Sequence, residues 1–177
     1  AEIALCFGMN VLAFNRRQDP GLISKGVRFV SLDQLLNSSD IVSLHLPHTK
    51  ETEHIINMDS IQKFKKGAVL INTARGALIE TQAIAQGLET GILSGVGLDV
   101  LEEEADLREE RELLSAEYLK KVDLKTQLIN HVLLTQSDVI ITPHNAFNSK
   151  EALEEILNTT IVNINNFINN TSSNTVE

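Results

Sequence analysis

Arg75, Asp99, Glu104 and His144 are residues whose types and order could do chemistry together. A guanidinium grips a carboxylate through two parallel hydrogen bonds. An imidazole is the usual proton donor near neutral pH, and a carboxylate beside it stabilises its charged form. Such a set suits the reduction of a keto acid, with the arginine holding the acid and the imidazole protonating the carbonyl oxygen. Arg75 comes just after the run AVLINT, Asp99 lies in GVGLDV, Glu104 is five residues further on, and His144 comes just after VIIT. Two other runs end in polar residues: NVLAFN in Asn15 and Arg16, and DIVSLHL in His45 and Pro47. These runs read as parallel strands, and in an open α/β sheet ligands sit outside the carboxyl ends of the strands. The polar positions therefore converge on one edge.

Taken singly, each position has an ordinary explanation. Arg75 could neutralise a loop carboxylate, and Glu104 belongs to a run, Glu102-Glu103-Glu104, of the kind that forms a solvated face. His45, His48, His54 and His131 read as capping or core residues rather than catalysts. The order of the whole set carries the functional reading.

The elements that must position these residues follow from periodicity and end signals. Residues 1–7 read as the end of an apolar helix closed by Gly8. Residues 10–15 and 27–31 are short strands, separated by a polar loop with room for one helical turn at Pro20-Gly21. Ser31 and Gln34 form a capping box for a short helix. Strands are expected at 40–46, 68–73, 95–100 and 139–142, and helices at 57–64 and 81–90, the last closed by Gly91. Strand and helix alternate as in parallel βαβ units. Residues 102–121 are strongly charged and read as helical, and 105–136 as a helix plus loop serving either as a substrate-selecting cover or as a surface insertion. Ser149 caps a long amphipathic helix whose apolar stripe runs from Leu153 to Ile168, and the Asn/Ser/Thr-rich end beyond it is expected to fray.

Composition narrows the partners. The formal net charge of −9 argues against salt-driven nucleic-acid binding. No apolar run is long enough to span a bilayer, so no membrane partner is expected. A single cysteine, Cys6, excludes an intramolecular disulfide and a cysteine-based metal site, and fits a cytoplasmic setting.

Four stretches together resemble one family. LLNSSDIVSLHLPHTKETEHIIN and FKKGAVLINTARGALIE are similar to the two long internal signatures of D-2-hydroxyacid dehydrogenases. SGVGLDVLEEE and VIITPHNAF resemble the segments carrying that family's acid and histidine, nearest its D-lactate dehydrogenase branch. The resemblance implies an α/β fold, a Rossmann-like doubly wound parallel sheet, and NAD(P)-dependent interconversion of a 2-keto acid and a D-2-hydroxy acid. It gives Arg75 the substrate carboxylate, His144 the proton transfer and Glu104 the pairing with that histidine. Leu46, Pro47, Thr52, Thr73, Ala74 and Asp99 become cofactor contacts, no metal is implied, and a homodimer is expected.

Two departures from the family pattern matter. The glycine-rich turn and the strand before it have no counterpart here, so a truncated chain is expected: residues 1–150 as a partial dinucleotide-binding domain, 151–170 as a helix returning toward a mostly absent substrate domain, and 171–177 as a flexible tail. Asn15, followed by Arg16, stands where an acid for the adenine ribose is usual in NAD-specific members. That favours NADP slightly over NAD, since an acid there repels a 2′-phosphate and an arginine binds one. The competing readings are a cofactor-sensing, corepressor-like binding protein of the same fold and an inactive fragment.

Overall fold

The computed structural model describes residues 1–102, 123–169, 171 and 174. The chain divides into two compact units, Ala1–Ile141 and Thr142–Glu177.

In the first unit, α1 (Glu2–Cys6) ends as expected at Gly8, whose φ of +76° is available without strain to a residue lacking Cβ. β1 (Leu12–Ala13) pairs in parallel with β2 (Arg28–Phe29), both shorter than their apolar runs. Between them lies α2 (Pro20–Ser24), where the Asp19 side chain accepts the Gly21 amide at 2.7 Å and Pro20 opens the helix with its ring already at helical φ. α3 (Leu32–Ser38) begins with the expected capping box: Gln34 N–H donates to Ser31 Oγ, and Ser31 N–H to Gln34 Oε1.

The remaining strands form a four-stranded, all-parallel sheet: β3 (Ile41–Leu44), β4 (Ala68–Asn72), β5 (Leu93–Leu98) and β6 (Val139–Ile141), adjacent in chain order. Side chains alternate across a strand. Val42, Leu44, Leu70, Asn72, Val96 and Leu98 therefore share one face and are buried there. Behind that face, α4 (Thr81–Glu89) packs against β5, and α5 (Leu124–Leu133) against α4. Their shared core includes Leu36, Ile56, Ile61, Leu78 and Ala83, all fully buried. Among the described residues no strand joins β1 to β3, so the parallel sheet is in two pieces.

The one-to-two-turn helix expected at 57–64 is a single 3-10 turn, Ile61–Lys63, preceded by a side-chain turn in which Asn57 Oδ1 accepts the amides of Asp59 and Ser60. The charged helix expected at 102–121 lies outside the described residues except for Glu102, which is in a turn. Just beyond them, Asp123 caps α5. The Thr126 hydroxyl, then the Lys125 amide, hold its carboxyl below the usual carboxylate range. Its support for the helix is therefore present above the ordinary carboxylate pKa and fades as pH falls through the lowered one.

In the second unit, α6 (Lys150–Ile168) starts where expected, with Ser149 Oγ accepting the Ala152 amide. No α6 residue is buried, and the stripe that includes Ile156, Leu157, Ile161, Ile164 and Phe167 is exposed. No described helix is long and apolar enough to cross a membrane.

Removing the α3 capping hydroxyl with Ser31→Ala is expected to destabilise the first unit by about 1 kcal/mol. Urea unfolding checks this: the midpoint falls while the slope is unchanged.

Candidate active site

The strand register sets the site. Leu44, Asn72, Leu98 and Ile141 stand side by side across β3 to β6, so all four carboxyl ends finish level. The residues that follow in the first unit open onto one edge: His45, Leu46 and Pro47 after β3, Thr73, Ala74 and Arg75 after β4, and Asp99 after β5.

Arg75 is held by a turn that Asn72 builds. Asn72 is 1% exposed; its Oδ1 accepts the Ala74 amide at 3.0 Å and its Nδ2 donates to the Arg75 carbonyl at 2.8 Å. The Asn72 backbone carbonyl also accepts the Asp99 amide at 2.9 Å, continuing the ladder one step past β5. One residue thus fixes both the arginine turn and the position of Asp99. The Arg75 side chain is exposed, with Nη1 donating to the Ala74 carbonyl and no ion pair formed among the described residues. The loop carboxylate suggested as its ordinary partner is therefore not found there.

Gly76 follows because nothing larger fits. A Cβ at this position would lie 2.0 Å from the Leu101 carbonyl oxygen. The arginine turn is thereby pressed against the chain just beyond Asp99. The loop after β3 is laced to the same turn: His54 N–H donates to the Ala77 carbonyl, and Ile56 N–H to the Leu78 carbonyl.

Asp99 is 4% exposed at the end of β5. Leu46 and Ala74 are half-buried against the core, whereas Pro47 and Thr73 are exposed. Thr52 shapes the loop after β3, since its hydroxyl donates to the Pro47 carbonyl and accepts the Thr49 amide. Asn15 and Arg16 follow β1 in the other sheet, exposed, with Asn15 Oδ1 accepting the Arg16 amide.

Glu104 lies outside the described residues. His144 is in the second unit, half-buried, in a left-handed conformation at φ +51°, with its amide donating to the Thr142 carbonyl. Its ring meets Phe147 edge-on at 6.5 Å. The described contacts bring together the β3, β4 and β5 edge residues of the first unit.

Sequence reasoning missed three polar contributors. Asn72 reads as part of an apolar strand, although an amide closing an otherwise apolar run is itself a signal. His54 reads as an ordinary histidine, yet its Nε2 lies 2.6 Å from Glu102 Oε1. Glu102 reads as part of a solvated acidic run, yet its side chain is 16% exposed.

A parallel α/β sheet with a polar carboxyl edge belongs to the open α/β class of domain, which binds ligands at that edge. The particular family is shown by sequence: residues 1–146 match the family described as D-isomer specific 2-hydroxyacid dehydrogenase, NAD binding domain, and the chain belongs to it. It is 40% identical over 161 residues to a D-specific alpha-keto acid dehydrogenase of Enterococcus faecium, covering 91% of this chain and 46% of that protein. It is 36% identical over 160 residues to the D-lactate dehydrogenase of Escherichia coli, covering 90% of this chain and 46% of that protein. Among solved structures, the D-lactate dehydrogenase of Aquifex aeolicus, complexed with NAD and lactic acid, superposes with a TM-score of 0.82 at 38% identity, covering 96% of this chain and 49% of that one. The chain spans about half the length of the curated relatives it matches.

Gly76→Ala tests the close approach. The added methyl meets backbone rather than a flexible side chain, so a loss of about 1–3 kcal/mol is expected in urea unfolding.

Proposed function

We propose that the full-length protein carrying this chain is an NAD(P)-dependent D-2-hydroxyacid dehydrogenase. The reaction is 2-keto acid plus NAD(P)H plus a proton, giving the D-2-hydroxy acid and NAD(P)⁺. The observation that carries this reading is the level carboxyl edge, where an Asn72-built turn presents an exposed arginine beside a buried Asp99. An exposed guanidinium on a hydrogen-bonded turn, without a described carboxylate partner, is available to an anionic substrate.

The residues present fit a dinucleotide in part. Leu46 and Pro47 offer apolar surface for a base, Thr73 and Ala74 border the middle of the edge, and the buried Asp99 carboxylate is an acceptor for a carboxamide. Bound, the nicotinamide supplies the hydride. The chain's own residues do the rest. Arg75 binds the substrate carboxylate and polarises the carbonyl. His144 delivers the proton to the carbonyl oxygen, and Glu104 is the carboxylate that pairs with that imidazole. The exposed stripe of α6 packs on the substrate-side part of the full-length protein, which forms a homodimer.

The cofactor reading is finer. With Asn15 in place of an acid and Arg16 beside it, both exposed after β1, a 2′-phosphate is tolerated or preferred. The expected outcome of a binding titration is a dissociation constant for NADPH equal to or below that for NADH. NADH binding about tenfold tighter would refute the preference.

The activity itself is tested with the full-length protein and a panel of small 2-keto acids, using both cofactors. Turnover is expected, falling by about a thousandfold or more in Arg75→Ala and in His144→Ala, since each removes a group that acts on the reacting carbonyl. Tight cofactor binding with no turnover on any keto acid would overturn the enzyme reading in favour of a cofactor sensor.

A further inference from the structure

We infer that Glu102 is a positioning residue for this site, tying the peptide on which the arginine turn rests to three separate elements. The inference rests on the dehydrogenase reading above. Both carboxylate oxygens of Glu102 are engaged. Oε1 lies 2.6 Å from His54 Nε2, in the loop after β3. Oε2 accepts the Thr81 amide at 2.8 Å and the Thr81 hydroxyl at 2.7 Å, at the first turn of α4. The Glu102 backbone carbonyl accepts Asn130 Nδ2 at 3.1 Å, from α5, and Asn130 is 2% exposed.

A helix cap alone does not call for this arrangement. The residue before α4, Glu80, makes no side-chain cap bond, and a serine or threonine there would satisfy the helix locally. The cap instead comes from 21 residues further along the chain and is shared with a histidine 48 residues back. That histidine is itself fixed. Its φ is +47°, its amide donates to the Ala77 carbonyl, and its carbonyl accepts Asn57 Nδ2. Non-glycine residues in that region carry strain and persist where their surroundings over-determine them.

The consequence for the site comes through the neighbouring peptide. The Leu101 carbonyl and the Glu102 amide are the atoms that leave no room for a Cβ on Gly76, next to Arg75. Holding Glu102 in place therefore holds the surface against which the arginine turn rests.

The test compares Glu102→Ala, Glu102→Gln and His54→Ala in the full-length protein. Glu102→Ala is expected to lower kcat/KM for keto-acid reduction by about tenfold or more, with KM for the keto acid raised and cofactor affinity held within about twofold. Glu102→Gln keeps an acceptor for Thr81 and is expected to restore most of that loss. A folded Glu102→Ala protein with kcat/KM within about twofold of wild type overturns the inference and leaves Glu102 a helix cap. If Glu102→Ala does not fold, His54→Ala carries the test, with a loss of about threefold or more expected and an unchanged kcat/KM overturning it. If the wild-type protein reduces no 2-keto acid, the dehydrogenase reading has failed on its own account. Amide hydrogen exchange then decides the anchor. Exchange about tenfold faster at residues 75–79 and Thr81 in the folded variants, with β4 and β5 unchanged, supports it, and unchanged exchange in that turn overturns it.

Discussion

The side chain of Asn72 ends β4 in the core, 1% exposed, where water cannot satisfy its amide. A buried amide without partners costs about 1–3 kcal/mol, so the chain after β4 must fold back to meet it. It does so within three residues: Ala74 offers an amide and Arg75 a carbonyl. The backbone carbonyl of the same residue takes the Asp99 amide from the neighbouring strand. The direction of the arginine turn and the depth of Asp99 are thus set by one polar side chain and its own peptide. A hydrophobic residue of similar volume would fill the space equally well but would leave the turn without a template.

That template works because the sheet ends level. In a parallel sheet every carboxyl end points the same way, so four strands in register place every following loop on one side. Strand length matters less than alignment. β1 and β2 are short and stand apart from this sheet, so Asn15 and Arg16 follow the end of a different piece.

Much of the fold could be read in advance because the signals were local. The Ser31 capping box, the Ser149 cap, the glycines at positions 8 and 91, and the strand preceding Arg75 each rest on a few adjacent residues. The order of Arg75, Asp99 and His144 at strand ends is what the sequence offers of a site, and the structure places Arg75 and Asp99 after adjacent strands of one sheet. What escaped lies between residues far apart in sequence, as in the contact of His54 with Glu102. The apolar stripe of α6 was visible, whereas nothing in its periodicity says what covers it.

Glu102 shows most clearly why charge runs mislead. Three consecutive glutamates read as a solvated face, because isolated carboxylates are expensive to bury. The cost is offset when every oxygen finds a donor, and the donors here come from Thr81 and His54, distant in sequence in both directions. A helix N-terminus adds a favourable field for negative charge. No window on the sequence contains all of these groups. Nor does removing the charge simply return the chain to neutral, since Thr81 and His54 would lose a common partner at once. A carboxylate shared in this way links the loop after β3, the start of α4 and the chain beyond β5, so movement in any of them is felt by the others. The same linkage holds the Leu101–Glu102 peptide, the surface that leaves no room for a Cβ on Gly76 beside Arg75.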